Sequence, residues 1–279
     1  HLQKWRDLLK HVVVKSTNHC TYIIIGVENQ SEIHYAMPIK NMIYDAINYG
    51  RQTKEAAKMH KKKKEHKKRG IGWTILRIFL GAAGILVLIL VVYIGYLFAS
   101  YHRIEDNLEL EVEKPSDGNV EGTLKIGTEY SALTYNIGFG AYTPDFSFFM
   151  DGGKSSWAKS KESVLETVSG AGKLAASYDP DFALIQEVDL NSTRSYHVNE
   201  YELLKESFPE YDSVFAQNYD SAFLFYPFTQ PHGRSRSGLA LFSRYPVTSA
   251  LRRSFPVSTS FTKFFDLDRC YSISRIPVE

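Results

Sequence analysis

The strongest pattern in the sequence is one long run of apolar residues between two stretches of mixed polarity. Residues 78–99 contain 22 positions without a charged side chain. As an α-helix this run is about 33 Å long, which exceeds the roughly 30 Å hydrocarbon core of a bilayer. Tyr93 and Tyr96 lie toward one end, where aromatic rings suit the headgroup layer. The pattern predicts a transmembrane helix; the alternative, a buried core helix, rarely extends this far without a polar face.

The two flanks of this run differ in charge. Before it, residues 61–69 hold seven Lys or Arg in nine positions, whereas residues 102–113 after it hold one Arg and five acids. Cytoplasmic flanks of membrane helices are enriched in Lys and Arg. We therefore expect a single-pass membrane protein with its N-terminal side in the cytoplasm and its C-terminal domain outside. Residues 59–77 are then a basic linker, and residues 100–129 are an acidic spacer.

The distribution of charge along the chain shows the same division. The overall net charge of +2 combines +10 for residues 1–99 with −8 for residues 100–279. Such an asymmetry indicates two distinct parts. The two cysteines, Cys20 and Cys270, fall on opposite sides of the predicted membrane, so we expect no disulfide between them.

Beyond the spacer, apolar positions follow strand and helix spacings in turn. Residues 130–135 are a strand candidate that ends at Asn136. Residues 161–178 have apolar positions at helical spacing, and Pro180 stops the pattern. Further strands are predicted over residues 182–185, 238–243 and 271–278. This order of elements predicts an α/β sandwich over residues 130–279.

Polar residues follow two of these strands. Glu187 comes after the buried strand at 182–185, and Asn136 ends the first strand. A carboxylate at the end of an apolar strand is costly to bury unless it holds a cation or a basic partner. An acid and an amide at one sheet edge suit a hard divalent ion and a phosphate. The alternative is that Glu187 caps a loop and Asn136 only turns the chain.

Three segments resemble the opening motifs of the endonuclease/exonuclease/phosphatase superfamily. They are LTYNIGFG at 133–140, DPDFALIQEVD at 179–189 and SGLALFSRYPV at 237–247, and their order and separations match as well. The resemblance implies the N-terminal half of that superfamily's α/β sandwich, of a membrane-anchored bacterial type. It also implies a Mg²⁺ (or Mn²⁺) cofactor bound by Glu187, with Asn136 helping to position the metal and the phosphate.

The resemblance further implies a phosphoester substrate: a lipid, a small molecule or a nucleic acid. Arg194 and His197, on the loop after Glu187, are candidate phosphate contacts, and the alternative is an exposed polar loop. The net charge of −8 in residues 100–279 weighs against strong nucleic-acid binding, which needs clustered Lys and Arg. The membrane is the other expected partner, and the sequence identifies no partner protein.

Later motifs of the superfamily do not follow in this sequence. After residue 247 there is no asparagine near a His-Leu pair, no Gly-Asp-Phe-Asn and no Ser-Asp-His. In the family these residues orient the attacking water and stabilise the phosphate. We therefore expect the printed chain to hold an incomplete domain and to be inactive by itself.

Residues 1–58 carry a second pattern. A β-branched run at 21–27 predicts a strand that ends near Glu28 and Gln30. A strand hairpin would place Asp7 beside Glu28 and form a second, two-carboxylate metal site.

The sequence of this region also resembles a known protein group. The segment YIIIGVENQSEIHYAMPIKNMIYDAINYG at 22–50 is similar to the recombination-promoting nucleases and transposases of the PD-(D/E)XK type. The resemblance implies a small α/β fragment over residues 1–58, with Asp7, Glu28 and Gln30 as its site.

Three functions follow as competing expectations. The leading one is a membrane-anchored, Mg²⁺-dependent phosphoester hydrolase that uses Glu187 and Asn136. The second is a cytoplasmic DNA nuclease that uses the N-terminal site, with the basic run at 61–69 binding DNA. The third is a membrane protein without catalytic activity.

Overall fold

The structure is a computed structural model that describes residues 8–13, 71–115, 118–256 and 268–279. The described residues belong to two compact units, one containing the long helix and one containing the α/β domain. The predicted strand at 21–27, the basic run at 61–69 and the second site lie outside the described residues. That second site comprises Asp7, Glu28 and Gln30.

The long helix, α1, spans Ile71–Ser100. It begins seven residues before the predicted start at residue 78, so the predicted basic linker at 59–77 ends inside a helix. Arg77 does not interrupt it, because its guanidinium lies over the ring of Trp73 one turn earlier, 5.3 Å from the ring centroid. By length and composition, Gly72–Ser100 is apolar enough to cross a membrane.

The domain contains nine strands and two α-helices among the described residues. The strands are β1 Leu8–Val13, β2 Leu108–Leu110, β3 Val112–Glu113, β4 Glu129–Asn136, β5 Phe182–Asp189, β6 Asp212–Asp220, β7 Arg236–Ser243, β8 Ser249–Ser254 and β9 Cys270–Arg275. The helices are α2 Lys161–Ser177 and α3 Glu200–Lys205. The predicted strands at 130–135 and 238–243 and the predicted helix are confirmed. The strand predicted at 182–185 continues to Asp189, so Glu187 lies within it, and the one predicted at 271–278 ends at Arg275. Not predicted were β1, β2, β3, β6, β8 and α3.

The strands form two sheets. The larger has the order β1-β4-β5-β7-β6-β3, and the smaller has the order β2-β8-β9. Strands β4 and β5 are parallel, with Asn136 opposite Gln186. The remaining neighbours in both sheets are antiparallel. The mixed sheets and flanking helices agree with the predicted α/β class.

Each face of the larger sheet buries a separate apolar cluster. On one face, α2 packs Val164, Val168 and Ala175 onto the sheet, at the three- and four-residue spacings of one helix side. Ser160 caps the N-terminus of α2, and its hydroxyl accepts the Ser163 N–H at 3.1 Å. On the other face, residues of the smaller sheet, including Ala250, cover the strands. The sheet carrying the predicted site residues is therefore held between two layers.

The segment predicted as an acidic spacer at 100–129 is partly structured. Its β2 and β3 pair with β8 and β6, respectively, and Leu124 is fully buried. Leu110 and Val112 pack against the core. Apolar and acidic residues alternate here as the two faces of a strand do, so Leu110 and Val112 face the core, whereas Leu108 at the start of β2 is exposed. The spacer prediction is corrected to that extent.

A buried arginine hydrogen-bonds the segment at 100–129 to both sheets. Arg252 on β8 is fully buried, and its guanidinium donates to the carbonyl oxygens of Gln217, Glu105 and Asp268 at 2.8, 2.9 and 2.8 Å. Carbonyl oxygens from three distant segments thereby satisfy a buried cation without a carboxylate in this set.

Strand β1 lies at the edge of the larger sheet. It pairs antiparallel with β4, with Leu8 opposite Thr134 and His11 opposite Ser131. Edge strands expose unpaired backbone N–H and C=O groups, and a further strand satisfies them. The pairing therefore adds residues from before α1 to the sheet that carries Asn136.

Candidate active site

Asn136 ends β4 and is fixed by the turn that follows it. Its Oδ1 accepts the N–H of Gly138 at 2.9 Å, which orients the side-chain amide. Gly138 has φ of 56°, and a Cβ there would lie 2.4 Å from the ring of Tyr142. This position needs glycine both for the left-handed backbone and for the space beside Tyr142.

Glu187 lies at an irregularity in β5. The register with β7 shifts between Ile185 and Val188, and Glu187 has φ of 56°. A left-handed backbone at a residue with a side chain costs about 1–3 kcal/mol, and it persists where the surrounding structure imposes it. The bulge re-aims one side chain of a buried strand, so the half-buried Glu187 carboxylate reaches the sheet edge.

The fold brings these two residues together. Because β4 and β5 are parallel neighbours, their carboxyl ends meet at one edge of the sheet. The Nδ2 of Asn136 donates to Oε1 of Glu187 at 3.0 Å. We call this pair, at the shared end of β4 and β5, the Asn136–Glu187 edge.

A buried ion pair lies beneath this edge. Arg194 donates from Nε and Nη2 to the two carboxylate oxygens of Asp189 at 3.0 and 2.8 Å, and Ser195 Oγ donates to the same carboxylate at 2.8 Å. The guanidinium also lies over the ring of Phe139, 3.9 Å from its centroid. Two parallel hydrogen bonds fix the planar guanidinium more firmly than one would.

Glu200, at the start of α3, completes the layer. Its Oε2 accepts the backbone N–H of Asp189 at 2.8 Å, and its side chain is fully buried. Burial, and then the negative charge of Asp189, raise the pKa of Glu200 well above its usual value. The raised pKa reflects the cost of a second buried negative charge beside Asp189, and the Glu200 side chain supports the end of β5 through its hydrogen bond.

Tyr142 lies between the Asn136–Glu187 edge and a second acid. Its hydroxyl donates to Oδ2 of Asp151 at 3.2 Å. Burial first, and then the negative charges of Glu187 and Asp151, raise the pKa of Tyr142 above its usual value. Tyr142 is therefore a neutral phenol whose pKa depends on the negative charge of Glu187.

The structure places the two predicted phosphate contacts differently from each other. Arg194 is only 7% exposed, and its guanidinium is paired with Asp189 in the interior, so it is neither on an exposed loop nor open to a phosphate. His197 is exposed on the loop after β5, with Nδ1 2.5 Å from Oδ1 of Asn191. Of the predicted residues, Asn136 and Glu187 are the two that the structure brings into contact.

The Asn136–Glu187 edge contains one carboxylate that could serve as a metal ligand. The described residues contain no cluster of three or more His, Cys, Asp or Glu side chains able to hold a metal. Mg²⁺ is usually bound through one or two carboxylates, with waters and substrate phosphates completing its coordination. Glu187 would be the carboxylate, and the Asn136 amide would hold it in place.

Three supporting residues escaped the sequence analysis: Asp189, Glu200 and Tyr142. Asp189 carried one readable signal, because an acid in an apolar strand requires a partner and Arg194 is five residues away. Glu200 and Tyr142 carried none, since their roles depend on where α3 and the turn after β4 pack.

A comparison with known protein families matches the part of the chain that contains this site. Residues 133–278, slightly more than half of the sequence, match the model of the Endonuclease/Exonuclease/phosphatase family. Neither the curated proteins nor the solved structures include a significant match to the chain.

Proposed function

The chain belongs to the endonuclease/exonuclease/phosphatase family, and we propose that its domain binds a divalent metal at Glu187 to hydrolyse a phosphoester. The observation that carries the proposal is the hydrogen bond from Asn136 to the Glu187 carboxylate at the shared end of β4 and β5. A carboxylate held by a neighbouring amide at a sheet edge is an oxygen ligand of the kind that Mg²⁺ or Mn²⁺ prefers.

Each protein group has a defined part in this proposal. A bound Mg²⁺ supplies positive charge that offsets the charge of the phosphate oxygens. Asn136 keeps the carboxylate of Glu187 oriented, and the bulge in β5 aims it. The Asp189–Arg194 pair and Glu200 fix the end of β5 from below, so that these two side chains keep their positions.

The proposal covers three classes of phosphoester substrate. A lipid, a small phosphoester and a nucleic acid each present a phosphate that a metal at Glu187 would bind. The net charge of −8 over residues 100–279 favours the first two, because backbone phosphates of nucleic acids are held by clustered Lys and Arg.

We also propose that α1 anchors the chain in a bacterial membrane, with the domain on the extracytoplasmic side. The uncharged run at 78–99 and the basic flank at 61–69 favour this placement. This topology and the pairing of β1 with β4 cannot both hold in one chain. A membrane-spanning α1 would place β1 and β4 on opposite sides of the bilayer, whereas paired strands lie on the same side. In the membrane, the proposal therefore leaves the outer edge of β4 open.

The metal proposal is tested by Mn²⁺ binding to the full chain in detergent micelles, followed by electron paramagnetic resonance. Glu187→Gln should weaken Mn²⁺ binding by more than about tenfold. Substituting a group that only supports a metal ligand already costs about this much, and Glu187 would be the ligand itself. Glu166→Gln removes an exposed carboxylate from α2 and is the matched control, with unchanged affinity expected. Equal affinity in the two variants would show that Glu187 is not the ligand.

Hydrolysis is the second readout. The expectation that the printed chain is inactive by itself stays a prediction, so metal binding rather than turnover is the primary test. If the chain does hydrolyse a phosphoester, Glu187→Gln should abolish that activity and Glu166→Gln should retain it. The nuclease and non-catalytic alternatives also stay predictions, and the residues of the former lie outside the described part of the chain.

A further inference from the structure

The connection between β6 and β7 carries an exposed aromatic surface. We call residues 221–235 the aromatic hairpin. Its first ten residues, SAFLFYPFTQ, contain four aromatic side chains and no charge. Phe228 is 69% exposed and Phe225 is 49% exposed, in a domain whose other large apolar side chains mostly lie inside. Exposed apolar side chains that adjoin one another mark interaction sites, whereas single scattered ones are ordinary.

The base of the aromatic hairpin is firmly attached to the domain. Leu224 and Gly233 exchange two backbone hydrogen bonds of 3.0 Å, and the N–H of His232 donates to the carbonyl of Tyr226 at 3.2 Å. The His232 side chain is buried beside the rings of Phe148 and Phe149, with centroids 5.9 and 5.7 Å away. The exposed tip is therefore presented from an ordered base.

The aromatic hairpin leaves the sheet at the edge that holds the candidate site. Strand β7 runs antiparallel to β5, with Gly238 opposite Val188 and Ser237 opposite Asp189. Strand β6 in turn ends opposite the start of β7, where Asp220 faces Arg236. The hairpin between β6 and β7 therefore extends from the same edge as Glu187.

The chemistry of the tip and the connectivity of the chain point to a lipid surface. Phenylalanine and tyrosine rings are favoured at the boundary between the headgroups and the hydrocarbon of a bilayer. Residues 101–107 alone join the end of α1 to β2. Seven residues span at most about 25 Å, so a chain anchored by α1 keeps its domain close to the bilayer surface.

We propose that the tip of the aromatic hairpin inserts into the interfacial layer of the membrane that α1 crosses, and thereby turns the Asn136–Glu187 edge toward the lipid headgroups. Insertion is driven by the uncharged aromatic side chains, since the first ten hairpin residues offer no Lys or Arg to anionic lipids. The inference rests on the proposed membrane anchor and extends the proposed function by assigning the site access to phosphoesters at the membrane surface.

Photo-crosslinking of the full chain in vesicles tests this proposal. Benzoylphenylalanine is placed at position 228 in chains reconstituted in phosphatidylcholine with phosphatidylglycerol. The matched control position is Tyr178, an aromatic residue 56% exposed that precedes β5 and so lies at the opposite edge of the sheet. We expect a lipid adduct, detected as a mass shift, at 228 and none at 178.

The other outcomes overturn the proposal. Equal lipid labelling at both positions would mean proximity without a preferred orientation, and an absence of lipid adducts at 228 would mean that the tip does not insert. A protein adduct at 228 in place of the lipid adduct would identify the hairpin as a protein-binding surface.

Two further variants separate this proposal from the catalytic one. Glu187→Gln should lose Mn²⁺ binding but keep the lipid adduct at 228, because insertion does not use the metal. Phe225→Ser combined with the probe at 228 should reduce the lipid adduct, while retained Mn²⁺ binding reports that the domain is folded. In the parent chain, a lipid adduct at 228 without Mn²⁺ binding would refute the site, and Mn²⁺ binding without a lipid adduct would refute the insertion of the aromatic hairpin.

Discussion

The amide of Asn136 donates to the carboxylate of Glu187 across 3.0 Å, although the two residues are 51 positions apart in sequence. Each side chain is held by an unusual backbone: Asn136 by the left-handed turn at Gly138, and Glu187 by its own positive φ. Local strain of this kind is retained where the surrounding packing imposes it, and it concentrates at functional sites. The relationship makes the site sensitive to changes in its supports as well as in its two side chains.

Gly138→Ala should destabilise the domain and weaken the binding of Mn²⁺. A left-handed backbone at a residue other than glycine costs about 1–2 kcal/mol, and the new Cβ would also meet the ring of Tyr142. Urea unfolding of the full chain in micelles, followed by near-ultraviolet circular dichroism, measures the change in free energy of unfolding. The same samples give the Mn²⁺ affinity.

The control for this substitution is Gly170→Ala. Gly170 lies inside α2, where an added Cβ would have no neighbour within 4 Å. Alanine is favoured over glycine in a helix by about 0.5–1 kcal/mol, so this variant should be more stable than the parent chain. Similar losses in both variants would show that left-handed geometry at Gly138 is not the cause.

Arg194→Met should cost about 3–5 kcal/mol of the free energy of unfolding, because it leaves the buried Asp189 carboxylate without its cation. Lys159→Met removes the cation of an exposed pair with Asp145, 3.1 Å apart, and is the matched control. Exposed pairs contribute about 1 kcal/mol or less. The midpoints of urea unfolding at neutral pH compare the two, and a small loss in Arg194→Met would contradict the role assigned to the buried pair.

The stability of the domain should fall as the pH is lowered below about 6.5, with His232 as one contributor. Burial, and then the positive charge of Arg194, lower the pKa of His232 to about 3 from an ordinary value of 6.5. Between these values the unfolded chain binds a proton at this histidine and the folded chain does not. Stability therefore rises with pH across this window, by at most about 1.4 kcal/mol per pH unit from this group.

Comparison of the parent chain with His232→Gln isolates this contribution. Glu200 acts in the opposite sense, because its raised pKa contributes stability at low pH that is lost as the pH rises, but it is present in both chains. Between pH 4 and 6 the free energy of unfolding should change less steeply in the variant, and above pH 7 the two slopes should coincide. Parallel slopes throughout would show that His232 is not the group responsible.

The elements that sequence reasoning found are those whose own residues display the pattern. The apolar runs of β5 and β7 and the helical spacing of α2 are local, so the sequence predicted them. The position of Glu187 after such a run also predicted an acid at a sheet edge. Its contact with Asn136 follows from the parallel pairing of β4 with β5, which the sequence analysis did not specify.

Elements whose burial depends on distant partners could not be predicted in the same way. Strand β8 has the sequence SALRRS, and its buried Arg252 resembles a surface residue until carbonyls from three other segments are brought around it. Arg194 was predicted to contact a phosphate for a related reason. In the sequence it is a loop arginine near an acidic site, a position that suits phosphate binding. Its actual partner, Asp189, is buried by the packing of α3 and the turn after β4.

The pairing of β1 with β4 gives a direct test of the proposed topology. His11 lies opposite Ser131 in the antiparallel register. Directly opposed residues have Cβ atoms about 4.5–5.5 Å apart, close to the separation that a disulfide bridges. A chain carrying His11→Cys and Ser131→Cys, with Cys20 replaced by serine, should therefore form a disulfide wherever the two strands meet.

In vesicles, the proposed topology predicts no disulfide, because α1 would hold the two cysteines on opposite sides of the bilayer. In micelles no bilayer separates them, and an oxidant should produce the disulfide, seen as a mobility shift that reductant reverses. His11→Cys with Thr134→Cys is the register control, since Thr134 lies opposite Leu8 and three residues from the matching position. An intramolecular disulfide of the first pair in vesicles would place both segments on one side and require α1 to lie along the membrane or outside it.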